Sequence, residues 1–123
     1  MESELKEARA VLVKARMEGF QKVDTAYLAL QDAVFPVVRV PINSIEPIVR
    51  AAGVHTFVMP RAMSILEAIK SCSLLPPVMV YRWATTPGYE YKLYDGFHRY
   101  YLSLALGFSE IFVSVNPCER NAE

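Results

Sequence analysis

The 123-residue chain has only two cysteines and two histidines, no net formal charge, and no apolar run long enough to cross a bilayer. Cys72 and Cys118 are too few for a disulfide scaffold and lack metal-ligand spacing, which fits buried or incidental thiols in a reducing compartment. Neither histidine stands beside a second His, Cys or paired carboxylate at metal-binding spacing, so a structural metal is not expected. Thirteen basic residues balance thirteen acidic ones, so no overall field draws the chain to nucleic acid or to an anionic membrane. The opening MESELKEAR is charged where a signal peptide turns apolar. With a membrane span also lacking, the expectation is a cytoplasmic protein. Internal repeats and low-complexity segments are lacking too.

What is present is a large apolar fraction, 53% of residues, enough to bury one core in a chain of single-domain size. Residues 2–18 place Leu5, Ala8, Leu12 and Ala15 on one helical face, with a stop near Gly19. Asp24 is suited to cap a second helix through Tyr27, Leu28, Leu30 and Val34 up to Pro36. Residues 37–45, VVRVPINSI, read as a strand whose Pro41 suits an edge. Residues 46–60 read as loop, with a helical turn near Ile48 to Ala52. PRAMSILEAIKS opens on a helix-starting proline and puts Ala62, Ile65, Leu66 and Ile69 on one face. VMVYRW and YEYKLY then form a hairpin across TTPG, and from FHRYYLSLAL onward Phe97, Tyr101, Leu104 and Phe108 form one apolar line, with Gly107 as the helix stop. A last strand covers IFVSV. The expectation is an α+β domain: a small mixed sheet with helices packed on it. Its divisions are an N-terminal helical extension at residues 1–35, the domain proper at 36–116, and a tail at 117–123.

The stretch DGFHR, at the junction of a strand and a helix, sets an acid, a glycine, an aromatic, a histidine and an arginine in a row. Two readings fit it. The first N–H groups of a helix lack intrahelical partners and sit at the positive end of its dipole, so Gly96 with His98 and Arg99 suits a phosphate. Equally, Asp95 caps the helix, Gly96 serves the turn, and His98 and Arg99 are solvated.

The element order from VPINSI to IFVSV resembles the fold shared by the ParB N-terminal domain and sulfiredoxin, over about residues 38–115. ParB-like domains place a glycine-rich or acidic turn, a basic pair, an Ala-rich helix ending in Leu-Gly and a final short strand. Here these are DGFHR, YYLSLALG and IFVSV. Sulfiredoxins carry Gly-Gly-Cys-His-Arg at the same turn and a Pro-Pro before the preceding strand. The resemblance implies a nucleotide-binding domain for ATP or a relative, with Mg²⁺ arriving on the nucleotide. It implies phosphate contacts from His98 and Arg99 at the corner of Asp95 and Gly96. The Lys, Ser and Thr that sulfiredoxins supply from the helix before the Pro-Pro fall on Arg61, Ser64 and Ala68, so one hydroxyl is lost.

Departures narrow the reading. Phe97 stands where sulfiredoxin has its nucleophilic cysteine, so sulfinic acid reduction is not expected. The arginine-rich box and helix-turn-helix of ParB are missing, which counts against sequence-specific DNA binding, though ParB-like plasmid or phage modules described as nucleases keep a nucleic-acid role in view. A third branch phosphorylates free serine with a carboxylate base, a part for which Glu46 is the weak candidate. ATP hydrolysis or phosphoryl transfer is therefore one expectation, and an interaction protein that kept the fold without the site is another. A protein partner or a homodimer fits that last reading.

Three further features carry less. His55, in GVHTF, reads as a loop or partly buried residue beside a pocket. The tyrosines Tyr81, Tyr89, Tyr91, Tyr94, Tyr100 and Tyr101, with Trp83, read as packing residues ahead of base-stacking ones. Arg39, Arg50, Arg82 and Lys92 read as solvated.

Overall fold

A computed structural model describes residues 1–49 and 57–119. Within them lie three α-helices and a five-stranded mixed sheet, so the α+β expectation holds. Helix α1 (Glu2–Lys14) is followed by strand β1 (Val37–Pro41), a 3₁₀ turn at Ile42–Ser44 and strand β2 (Ile45–Glu46). Helix α2 (Met59–Lys70), strands β3 (Val78–Tyr81) and β4 (Tyr91–Asp95), helix α3 (Phe97–Leu106) and strand β5 (Glu110–Asn116) complete the order. No helix among the described residues is long and apolar enough to cross a membrane.

The strand order is β1-β5-β3-β4-β2. The hairpin β3–β4 is antiparallel, as its turn signal predicts, while β3–β5 and β2–β4 are parallel and β1–β5 antiparallel. The single strand expected over residues 37–45 is instead two strands, on opposite edges of the sheet. Four strand spacings of ~4.8 Å make a flat sheet of this order ~19 Å across, whereas the four Cα steps from Pro41 to Ile45 reach at most ~15 Å. The sheet therefore curls. Pro41 ends the first piece at an edge, where its missing N–H costs no ladder bond.

A second correction concerns residues 24–35. No helix forms there; Ala29 bridges Leu75, with Leu30 N–H donating to Leu75 O and Leu75 N–H to Leu28 O. Tyr27 and Ala29 are buried while Leu28 and Leu30 are exposed, a period of two rather than 3.6. Helical spacing and strand alternation are ambiguous in so short an apolar run, and pairing with Leu75 decided it. Helix α1 is also shorter than expected: it stops at Lys14, and Arg16 takes a left-handed conformation at φ 56°.

Helix α3 is the centre of the core. Tyr100, Tyr101 and Leu102 are almost fully buried, covered by α1 and α2 on one side and by the sheet on the other. Helix α2 buries Ala62, Ile65, Leu66 and Ile69, the face its spacing predicts, and has Pro60 as its second residue, where a missing N–H is harmless. Tyr81 stacks between Trp83 and Tyr94, at ring separations of 4.8 and 4.3 Å, so these aromatics do pack. Cys72 and Cys118 are both free and exposed, which corrects the buried alternative.

Gly96 joins β4 to α3 at φ 105° and ψ 33°, and a Cβ there would lie 2.7 Å from Val78 Cγ1 and 3.2 Å from Val78 Cα. Backbone strain and a clash with a core strand therefore coincide. Gly96→Ala is expected to cost about 2 kcal/mol or more in urea unfolding, whereas Gly19→Ala, in open space at φ 70°, costs only about 1 kcal/mol.

Candidate functional site

The corner begins where β4 ends. Gly96 is the N-cap of α3, and no side chain caps the first turn. Asp95, expected as a cap in one local reading, instead pairs with Arg99 at 3.6 Å and remains 61% exposed. Helix geometry then separates the basic pair, because successive residues point about 100° apart.

His98 turns inward and is buried. Its Nε2 accepts a 2.9 Å hydrogen bond from the backbone N–H of Val58, the N-cap of α2, which places the ring proton on Nδ1. Phe57 packs edge-on against the His98 ring at 5.2 Å and against Phe97 at 5.4 Å. One imidazole thus ties the start of α2 to the first turn of α3. Arg99 turns the other way: Nη1 donates to the carbonyls of Pro76 and Pro77, both at 3.0 Å. Pro76 O also accepts from Tyr27 Oη at 2.7 Å. The Pro-Pro lead-in to β3 is therefore held by a guanidinium and a phenol. Tyr27 is buried deeply enough for desolvation to raise its pKa above the usual phenol value, against the opposing Arg99 charge.

Arg61 and Ser64 are exposed on the first turns of α2, three residues apart and so on neighbouring positions of one face. The structure draws the two helix starts together but divides the expected residues into three sets. Arg61 and Ser64 face solvent, His98 lies at the junction, and Arg99 with Asp95 lines a separate 370 Å³ cleft beside Pro76 and Pro77.

Glu46 lies apart from all of these, at the β2 edge. Its carboxylate is buried and accepts from the Thr85 N–H at 2.8 Å, the Thr85 hydroxyl at 2.6 Å and the Thr86 hydroxyl at 2.6 Å. Lys92 Nζ stands 3.5 Å away. Burial raises its pKa, but the hydroxyls of Thr85 and Thr86, the Thr85 amide and the Lys92 ammonium outweigh it and bring the value down to about 2. A carboxylate so held is a weak base and a strong clamp on the turn between β3 and β4. Sequence reasoning missed the two threonines, because TTPG signals a turn without saying what anchors it.

No family model matches the sequence, and no curated protein matches it.

Two further basic residues are paired with carboxylates. Arg39 pairs with Asp24 at 3.3 Å and Glu110 at 3.8 Å, and its guanidinium lies 4.7 Å from the Phe112 ring centroid. Lys92 serves Glu46, which corrects its reading as a solvated residue. Among the described residues no group of three His, Cys, Asp or Glu gathers as metal ligands. His55, Arg50 and part of the expected turn at Ile48 to Ala52 lie outside the described residues.

The clamp has a pH signature. Glu46 is ionised in both folded and unfolded chains at neutral pH, but the folded chain gives up its proton more readily, at about 2 against an ordinary 4.5. Its stabilisation is therefore full above pH 4.5 and is lost as the pH falls towards 2. Urea unfolding across that window is expected to show this loss, and Glu46→Gln to flatten it while lowering stability at pH 7.

Proposed function

We propose that this protein is a nucleotide-binding domain that holds phosphate where the starts of α2 and α3 meet, as the ParB/sulfiredoxin resemblance implies. The observation that carries this reading is the His98 Nε2 to Val58 N–H bond. It brings together the positive ends of two helix dipoles, with Arg61 and Ser64 exposed on the first turns of α2. Arg61 supplies a planar pair of donors suited to phosphate oxygens, and Ser64 a hydroxyl. Guanidinium N–H and hydroxyl donors of this kind suit the phosphate oxygens of a nucleoside triphosphate, which would carry its own Mg²⁺.

The roles differ from those the resemblance assigns. His98 and Arg99 act as positioning residues, one joining the helices and the other fastening the Pro-Pro lead-in. Glu46, engaged by three donors, is not the base of this reading. Binding rather than phosphoryl transfer is the activity proposed.

A second reading rests on Phe97. Its ring is buried against Phe57 and Tyr101, in the position where sulfiredoxins expose a thiol, and Val78 closes the space behind Gly96. That arrangement favours an interaction protein that kept the fold. The nucleic-acid reading has less support at the corner and the sheet, where Arg39, Lys92 and Arg99 each face a carboxylate.

Thermal unfolding with a panel of ATP, ADP, GTP and CTP plus Mg²⁺ separates the two main readings. A bound nucleotide at about 100 times its Kd adds about 2.7 kcal/mol, a shift on the order of several degrees. Arg61→Ala with Ser64→Ala is expected to remove most of the shift at unchanged baseline Tm. Arg99→Ala is expected to lower the baseline by about 2 kcal/mol of stability while retaining the shift. A flat response to every nucleotide would leave the interaction reading standing.

A further inference from the structure

The N-terminal helix, which has no counterpart in the resemblance, builds a groove of its own. Beyond Lys14 the chain turns sharply through left-handed Arg16 and Gly19, at φ 56° and 70°, and comes back past the end of α3. Between α1, this turn and the C-terminal end of α3 lies a groove of 360 Å³, at the lower end of the roughly 300–1,000 Å³ typical of small-molecule sites. Leu12, Met17 and Leu106 lie at its base, largely covered, and Val13 and Phe20 add apolar side chains to its walls.

The rim has a different character. Arg9 and Lys22 line the groove, against the one carboxylate of Glu18, so its side chains carry a net charge of +1. Arg9 is exposed, with no side-chain partner among the described residues. Lys22 Nζ donates to the Leu106 carbonyl at 3.2 Å, one bond from an ammonium with three donors. That bond fixes the charge at the groove and offsets the negative end of the α3 dipole, which otherwise repels an anion there. Val13, 53% exposed on the same wall, leaves apolar surface open to a ligand's chain.

Apolar side chains beneath a cationic rim suit an anionic amphiphile. We propose that this groove binds a small amphiphilic carboxylate, with its chain on Leu12, Met17 and Leu106 and its carboxylate between Arg9 and Lys22. The site is separate from the nucleotide reading: Arg61, Ser64 and His98 do not line it.

Isothermal titration of the full chain with decanoate, below its micelle concentration, tests the proposal, with decyltrimethylammonium and decanol as matched probes. Decanoate is expected to saturate at one per chain and to bind more tightly than either matched probe. Arg9→Glu with Lys22→Met is expected to weaken decanoate roughly fivefold or more, since exposed ion pairs contribute up to about 1 kcal/mol each. Arg9→Glu alone, at an exposed position without a partner, keeps the test sound if loss of the Lys22 bond disturbs the fold. Val13→Asp, which sets a like charge beside the chain, is expected to weaken it too. Arg61→Ala is expected to leave decanoate binding unchanged, so failure of the nucleotide reading does not decide this one. Absent saturation, equal binding of the ammonium probe, or an Arg9→Glu variant that binds as the wild type does would overturn the proposal.

Discussion

Three residues, Ile42 to Ser44, carry the chain between the two edges of the sheet, and the rest of the architecture depends on that short crossing. Ile42 is buried, its N–H donates to Ser109 O, and Ser44 O accepts from Glu90 N–H, so the turn is pinned from both sides. A flat sheet is too wide for it. The curl that results brings a sheet and two helices around α3, which is why that helix buries side chains on most of its circumference. Burying a large apolar side chain contributes ~1.5–3 kcal/mol, so residues such as Tyr100, Tyr101 and Leu102 anchor the fold.

The same crowding shapes the corner. Once β3 and α3 are drawn together, Val78 leaves no room for a Cβ at residue 96, and glycine serves packing as well as the turn. His98 cannot face water from its place between Phe57, Phe97 and the Val58 amide. Arg99 finds two proline carbonyls within reach because Pro76 and Pro77, which offer acceptors but no donors, run beside the first turn. The polar residues of DGFHR therefore hold two helices and a strand in register.

Polar clamps and aromatic packing divide the surface work in the same way. Glu46 fastens the β3–β4 turn, Arg39 spans Asp24, Glu110 and Phe112, and Lys22 closes the end of α3. Each ties a segment that regular hydrogen bonding leaves loose. The groove beneath α1 is a consequence of the last of these, since the returning chain brings Lys22 to α3 without filling the space it encloses.

Much of the fold was legible in the residues. Local period and punctuation set α2 with its Pro60 start, α3 with its Gly107 stop, the β3–β4 hairpin and the edge position of Pro41, because each rests on interactions within a few residues. Residues 24–35 carry helical spacing and residues 37–45 the composition of one strand, but their conformations are set by partners far along the chain, Leu75, Glu90 and Ser109. The site was legible only as composition. An Asp, a Gly, a His and an Arg in a row announce a polar corner, but the direction each side chain takes depends on which acceptors, donors and core atoms the tertiary structure brings within 3 Å. Short-range order fixes helices and turns by local backbone geometry, whereas the partner of a side chain is decided by packing between distant segments.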